Sequence, residues 1–94
     1  MKITENFILK EVSGQHVIFT VENARTIFNG MIQINKTSAF LFNQLSAEKT
    51  KIELIKIFSE HYGITIEQAT NDVELFLEKM LPTGAITFTP DELL

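Results

Sequence analysis

Between Asn29 and Leu45 the chain reads Asn-Gly-Met-Ile-Gln-Ile-Asn-Lys-Thr-Ser-Ala-Phe-Leu-Phe-Asn-Gln-Leu, and the spacing of its apolar residues changes at Asn35. Before that asparagine, Ile32 and Ile34 alternate with Met31 and Gln33, which is the two-residue period of a strand. After it the apolar residues take the spacing of an amphipathic helix. Asn35 suits an N-cap, because its side-chain oxygen can accept from an amide that the first helical turn leaves without a partner. The strand therefore reads as a sheet edge beside a helix. Such an edge offers a row of backbone donors and acceptors to an extended peptide.

Upstream of this junction, residues 7–12 read as a strand, Ser13-Gly14 as a turn and residues 16–21 as a second strand with Val17, Phe19 and Val21 on one face. The two are expected to pair as an antiparallel hairpin. Residues 22–28 are a connection with no assigned form, Asn29-Gly30 is a turn dipeptide, and residues 31–34 are a third strand. Downstream, three helices are expected. The first covers 36–45. The second opens on the capping box Thr50-Lys-Ile-Glu53 and runs to about Tyr62, where Gly63 supplies a left-handed stop. The third opens on a second capping box, Thr65-Ile-Glu-Gln68, and runs to about Leu81, because Pro82 cannot continue it. Residues 84–89 are a short extended piece and 90–94 a tail. Three strands followed by three helices give an α+β fold: a three-stranded antiparallel sheet with the helices on one face, winged-helix-like. The expected unit is one domain over 1–94, with its core at about 7–86 and a tail at 87–94.

Composition narrows the function classes. Apolar residues make up 45% of the 94, and eight are phenylalanine, which is enough to build a core. No apolar run reaches the roughly 20 residues of a membrane span, and the N-terminal residues carry no signal-peptide pattern, so a cytoplasmic location is expected. Cysteine is absent, which removes disulfides, thiolate metal sites and cysteine nucleophiles. The formal charge of −4 opposes non-specific attraction to nucleic acid or anionic lipid. Neither His16 nor His61 has ligand-like spacing to another metal-binding side chain, and the four glycines stand too far apart to cradle a phosphate. No enzyme activity, metal or cofactor is expected.

On a helical wheel at about 100° per residue, Ile66, Ala69, Val73, Phe76, Leu77 and Met80 of the third helix share one arc and are the expected core face. One flank is acidic, with Glu67, Glu74 and Glu78. The other carries Gln68, Asp72, Leu75 and Lys79, and an exposed leucine among mixed charges suits a partner surface. A winged-helix DNA reader is the rival for a domain of this make-up, but its recognition helix should present Arg or Lys to the duplex. This third helix holds four acids and one lysine. A binding module remains: strand addition at residues 31–34, with pairing of the same edge to the chain's own C-terminal segment or to a second copy left open beside it.

In its order of elements the sequence resembles the PqqD family, the small coenzyme PQQ synthesis protein D, and the wider peptide-recognition domains of ribosomal peptide modification pathways. The run Ile34-Asn-Lys-Thr-Ser-Ala-Phe-Leu-Phe-Asn-Gln-Leu45 is similar to the family's Leu-Asn-x-Thr-Gly/Ala-x-x-Ile/Trp-x-x-Leu pattern. Thr50 with Ile52 to Ile55, then His61-Tyr62, matches its second helix. Asp72-Val73, Phe76-Leu77 and Leu81 match its Asp-Val-x-x-Phe-Leu-x-x-Leu third helix. Ser38 stands where glycine is frequent, and Phe42 where tryptophan or leucine is common. The resemblance implies a non-catalytic module that binds the leader of a precursor peptide and presents it to a modifying enzyme, often a radical S-adenosylmethionine protein. It places the leader as a strand against Met31, Ile32, Gln33 and Ile34, with side-chain contacts to Gln68, Asp72, Leu75 and Lys79. No cofactor, nucleic acid or membrane partner is implied, and a homodimer through the same edge stays open.

Overall fold

A tight hairpin starts the main sheet. In the computed structural model, which describes residues 1–22 and 25–89 and the side chains of 1–21 and 31–89, strands β2 (Phe7–Val12) and β3 (Gln15–Glu22) pair antiparallel from Phe7 opposite Thr20 to Val12 opposite Gln15. The two loop residues, Ser13 and Gly14, have φ of 52° and 78°. Positive φ at both central positions twists the turn the way the strands twist, and it is why a glycine stands there. A third strand, β4 (Arg25–Ile34), pairs antiparallel with β3, giving the order β2-β3-β4. Of the expected connection at 22–28, residues 23–24 lie outside the described residues, as does the expected tail at 90–94.

The third strand is longer than its sequence suggests. The expected strand was 31–34, with Asn29-Gly30 as a turn, yet β4 begins at Arg25 and includes both residues. The register explains the signal. Ile32 faces Ile18 and Ile27 faces Thr20, so four residues of β4 stand opposite Phe19 alone. The turn-forming dipeptide falls inside this interruption, where it serves a bulge rather than a reversal of the chain.

Each helix starts where a side chain caps it. Asn35 Oδ1 accepts from the Ser38 amide at 2.8 Å and the Thr37 hydroxyl at 3.0 Å, opening α1 (Lys36–Gln44). Thr50 and Glu53 exchange two hydrogen bonds, of 3.1 and 2.9 Å, at the start of α2 (Lys51–Tyr62), and Gly63 closes it at φ 63°. At α3 (Ile66–Met80) the Thr65 hydroxyl oxygen accepts from the Gln68 amide at 3.1 Å. The Gln68 side chain does not return a bond among the described residues, so the second capping box is half made. A 3-10 turn at Leu81–Thr83 contains Pro82 and ends the helical part.

One cluster joins sheet to helices. Ile18 and Ile34 meet Leu41, Phe42, Leu45, Leu54, Phe58, Val73, Phe76 and Met80, with Phe7, Leu9 and Ile32 packed against them. By alternation, Val17, Phe19 and Val21 do share a face of β3, but the helices cover the opposite one, through Ile18. Ile66, expected in the core arc, is 56% exposed, because it is the first residue of α3 and the helix reaches the core only a turn later. The N-terminal segment also contributes a strand that periodicity could not reveal in two residues. β1 (Lys2–Ile3) pairs antiparallel with β5 (Ile86–Thr87), so the extended piece after Gly84 bonds to β1.

Phe42 is fully buried at the centre of this cluster. Phe42→Ala should lower unfolding free energy by about 3–5 kcal/mol in urea titration. A second expectation concerns acid. Hydrogen bonds from the Thr50 backbone amide and then its hydroxyl hold the Glu53 carboxyl below its ordinary value of 4.5. The stability from the charged form is present above that ordinary value and is lost as the pH falls through the lowered one. The melting-temperature gap between the native chain and Glu53→Gln should therefore be flat above pH 4.5 and shrink below it.

Candidate functional site

β4 is the outer strand of its sheet. One side bonds to β3, and no strand among the described residues bonds to the other. The C-terminal extended piece pairs with β1 instead. Along the end of β4, Ile32 is half-buried and Ile34 fully buried, while Gln33 is exposed and Met31 is 51% exposed. The strand thus keeps one set of side chains in the core while its outer main-chain groups face away from β3.

Beside the end of this strand lies a cleft of about 230 Å³. One wall is the first turn of α1, with Asn35, Thr37 and Ser38. The other is α3, with Asp72, Leu75 and Lys79. Leu41, Phe58 and Phe76 form the floor. The walls stand in these places because Asn35 follows directly on Ile34 and because Leu41, Phe76 and their neighbours hold α1 against α3. Three of the four flank residues singled out in the sequence therefore line one cleft. The fourth, Gln68, is exposed on the same helix but outside the lining. Met31, Ile32, Gln33 and Ile34 also lie outside the lining, which the strand meets only through Asn35.

Chemically the cleft joins an apolar floor to a mixed rim. Leu75 is 64% exposed and places a large apolar side chain on the cleft wall. The Asp72 carboxylate and Lys79 ammonium form no ion pair among the described residues, whereas Lys51 and Glu74 meet at 3.0 Å on the neighbouring flank. The Asn35 side chain is already engaged by its capping bonds. Such a site can hold an apolar side chain and orient charged neighbours, and among the described residues no hydrogen bond joins the Thr37 or Ser38 hydroxyl to Asp72 or Lys79. His61 is elsewhere, stacked on Phe40 with ring centroids 4.1 Å apart. Among the described residues no three His, Asp or Glu side chains group as metal ligands, and no helix is long and apolar enough to cross a membrane.

The residues of the α1 wall were missed as site residues in the sequence. The signal was present in Asn35: a cap that abuts a strand without a linker puts the first helical turn beside the strand's end. A further hollow, of about 390 Å³, is bordered by Met1, Thr50, Ile52 and Thr89, away from the cleft-lining turns of α1 and α3.

An open antiparallel edge beside a helix-walled cleft is the geometry that strand addition uses. The sequence matches the family model for coenzyme PQQ synthesis protein D (PqqD) over residues 15–86, and the chain belongs to that family. No curated protein matches the sequence. Among solved structures, TbiB1 in complex with the TbiA(beta) leader peptide aligns with a TM-score of 0.71 at 13% identity, covering 97% of this chain and 100% of that one. At that identity the likeness is one of fold.

Leu75→Ala should change unfolding free energy by no more than about 0.5 kcal/mol, as at other exposed positions. Its neighbour Phe76, on the cleft floor and buried, should cost about 3–5 kcal/mol when cut to alanine. Equal losses in urea melts would place Leu75 in the core and remove it from the binding surface.

Proposed function

We propose that this chain, acting as one domain, captures the leader of a ribosomally made precursor peptide by strand addition and presents it to a modifying enzyme of the radical S-adenosylmethionine class. The observation that carries the reading is the unpaired outer edge of β4 beside the α1–α3 cleft. Family membership supports it, and TbiB1, of similar fold, is a protein bound to a leader peptide. In this reading the leader bonds to the backbone of Met31, Ile32, Gln33 and Ile34, and its side chains reach the α3 flank of Gln68, Asp72, Leu75 and Lys79. Backbone bonds supply affinity, and side-chain pockets at alternate positions supply specificity.

The chain contributes no chemistry of its own. Holding the leader raises the effective concentration of the attached core peptide at the partner's active site. The leader loses conformational entropy when it docks, so a site of this size gives a dissociation constant of about micromolar. DNA binding is disfavoured by the acidic surface of α3, where Glu67, Glu74 and Glu78 are exposed. Self-association through the same edge has a footing in the half-exposed Met31, and leader binding would compete with it.

Titration of isotope-labelled protein with the leader peptide should move amide resonances at residues 31–35 and along 68–79. Shifts confined to the hollow at Met1 and Ile52 would reject the placement. Methylating two leader amides that bond to β4 should weaken binding about 10-fold, since each lost backbone hydrogen bond is worth about 0.5–1.5 kcal/mol. Unaltered affinity for every methylated peptide would exclude strand addition.

A further inference from the structure

We propose that Asp72 and Lys79 read the order of charges along the bound peptide, so that the cleft selects a strand whose apolar residue, seated by Leu75, has a cation two residues to one side and an anion two residues to the other. The inference rests on the peptide-binding reading above and adds the sequence class that the site accepts.

The argument starts from which charges are already neutralised. On the neighbouring flank of α3, Glu74 is paired with Lys51 at 3.0 Å and is not among the cleft-lining residues. Asp72 and Lys79 line the cleft and have no ion-pair partner among the described residues. They cannot neutralise each other, because seven residues of helix separate them by about 10 Å along the axis. Leu75 lies between them on the same wall, above an apolar floor that includes Phe58 and Phe76. The wall therefore presents, in order, a negative charge, an apolar side chain and a positive charge.

An extended peptide on β4 directs every second side chain to the same face, about 6.7 Å apart. In the proposed pose the strand runs alongside α3 with its apolar residue over Leu75, and the residues two before and two after reach Asp72 and Lys79 through their long side chains. The strand's direction is set by its main-chain bonds to β4, so only one charge order meets both partners. The reverse order sets like against like at both ends. The chain's overall charge of −4 would favour a cationic peptide whatever its order, so the inference concerns order and not net charge.

Two capped heptapeptides of identical composition separate these effects: Thr-Lys-Thr-Leu-Thr-Glu-Thr and Thr-Glu-Thr-Leu-Thr-Lys-Thr. Each is titrated to millimolar concentration into labelled protein and followed at the amides of 31–35 and 68–79. One should bind about 5-fold more tightly than the other, a size fitting two solvent-facing charge pairs, and the difference should shrink in high salt. In Asp72→Lys/Lys79→Glu, which keeps the net charge, the preference should invert. If that variant does not fold, Asp72→Asn and Lys79→Gln should each reduce the preference. Equal binding of the two peptides at these amides, or a preference that survives the substitutions, overturns the charge-order inference and leaves strand capture standing. Failure of both peptides to move any amide at 31–35 overturns the two together.

Discussion

The covalent junction at Ile34–Asn35 governs the rest of the molecule. Ile34 is buried in the core and Asn35 is the cap of α1, so the last strand residue and the first helical turn are placed by a single bond. No linker residue stands between them, so the helix can leave the sheet edge only by a change in the dihedrals of these two residues. Core residues on α1, Leu41, Phe42 and Leu45, then fasten that helix against the other two. The cleft and the edge are consequently parts of one corner of the fold.

An open edge is a hazard for any small sheet, since its unpaired groups can join another chain. This fold closes its other candidate partner by pairing β1 with β5, which occupies the extended segment after Gly84. The bulge opposite Phe19 disturbs the ladder between β3 and β4 before the regular stretch that ends at Ile34. Bulges increase local twist and restrict how long a flat edge can be offered. What is left is a short regular run beside the cleft, long enough for a few main-chain bonds and poor for indefinite stacking. A short edge of this kind limits edge-to-edge aggregation.

Much of the fold was legible because its signals are local. Helix starts at Asn35, Thr50 and Thr65 follow from side chains that bond to amides three residues on, and the stop at Gly63 follows from a left-handed backbone. The hairpin at Ser13-Gly14 is of the same kind. The misreadings share the opposite cause. Asn29-Gly30 has the local chemistry of a turn, but its use as a bulge depends on the register with β3. Strand β1 has too few residues to show a period and exists because β5 lies alongside it. Ile66 fits the core arc by angle, yet its place at the helix start lifts it clear of the core.

The candidate site divides in the same way. Sequence alone determined that α3 has an apolar face with Asp72, Leu75 and Lys79 beside it, since a helix of fixed pitch fixes which residues share a flank. It also determined that a strand turns into a capped helix at Asn35. Tertiary structure decided that β4 is an outer strand and that the first turn of α1 stands opposite that flank, leaving Gln68 outside the cleft. These depend on which surfaces the buried side chains bring together, and pairings between distant segments are set by the packing of the whole core rather than by any local run of residues.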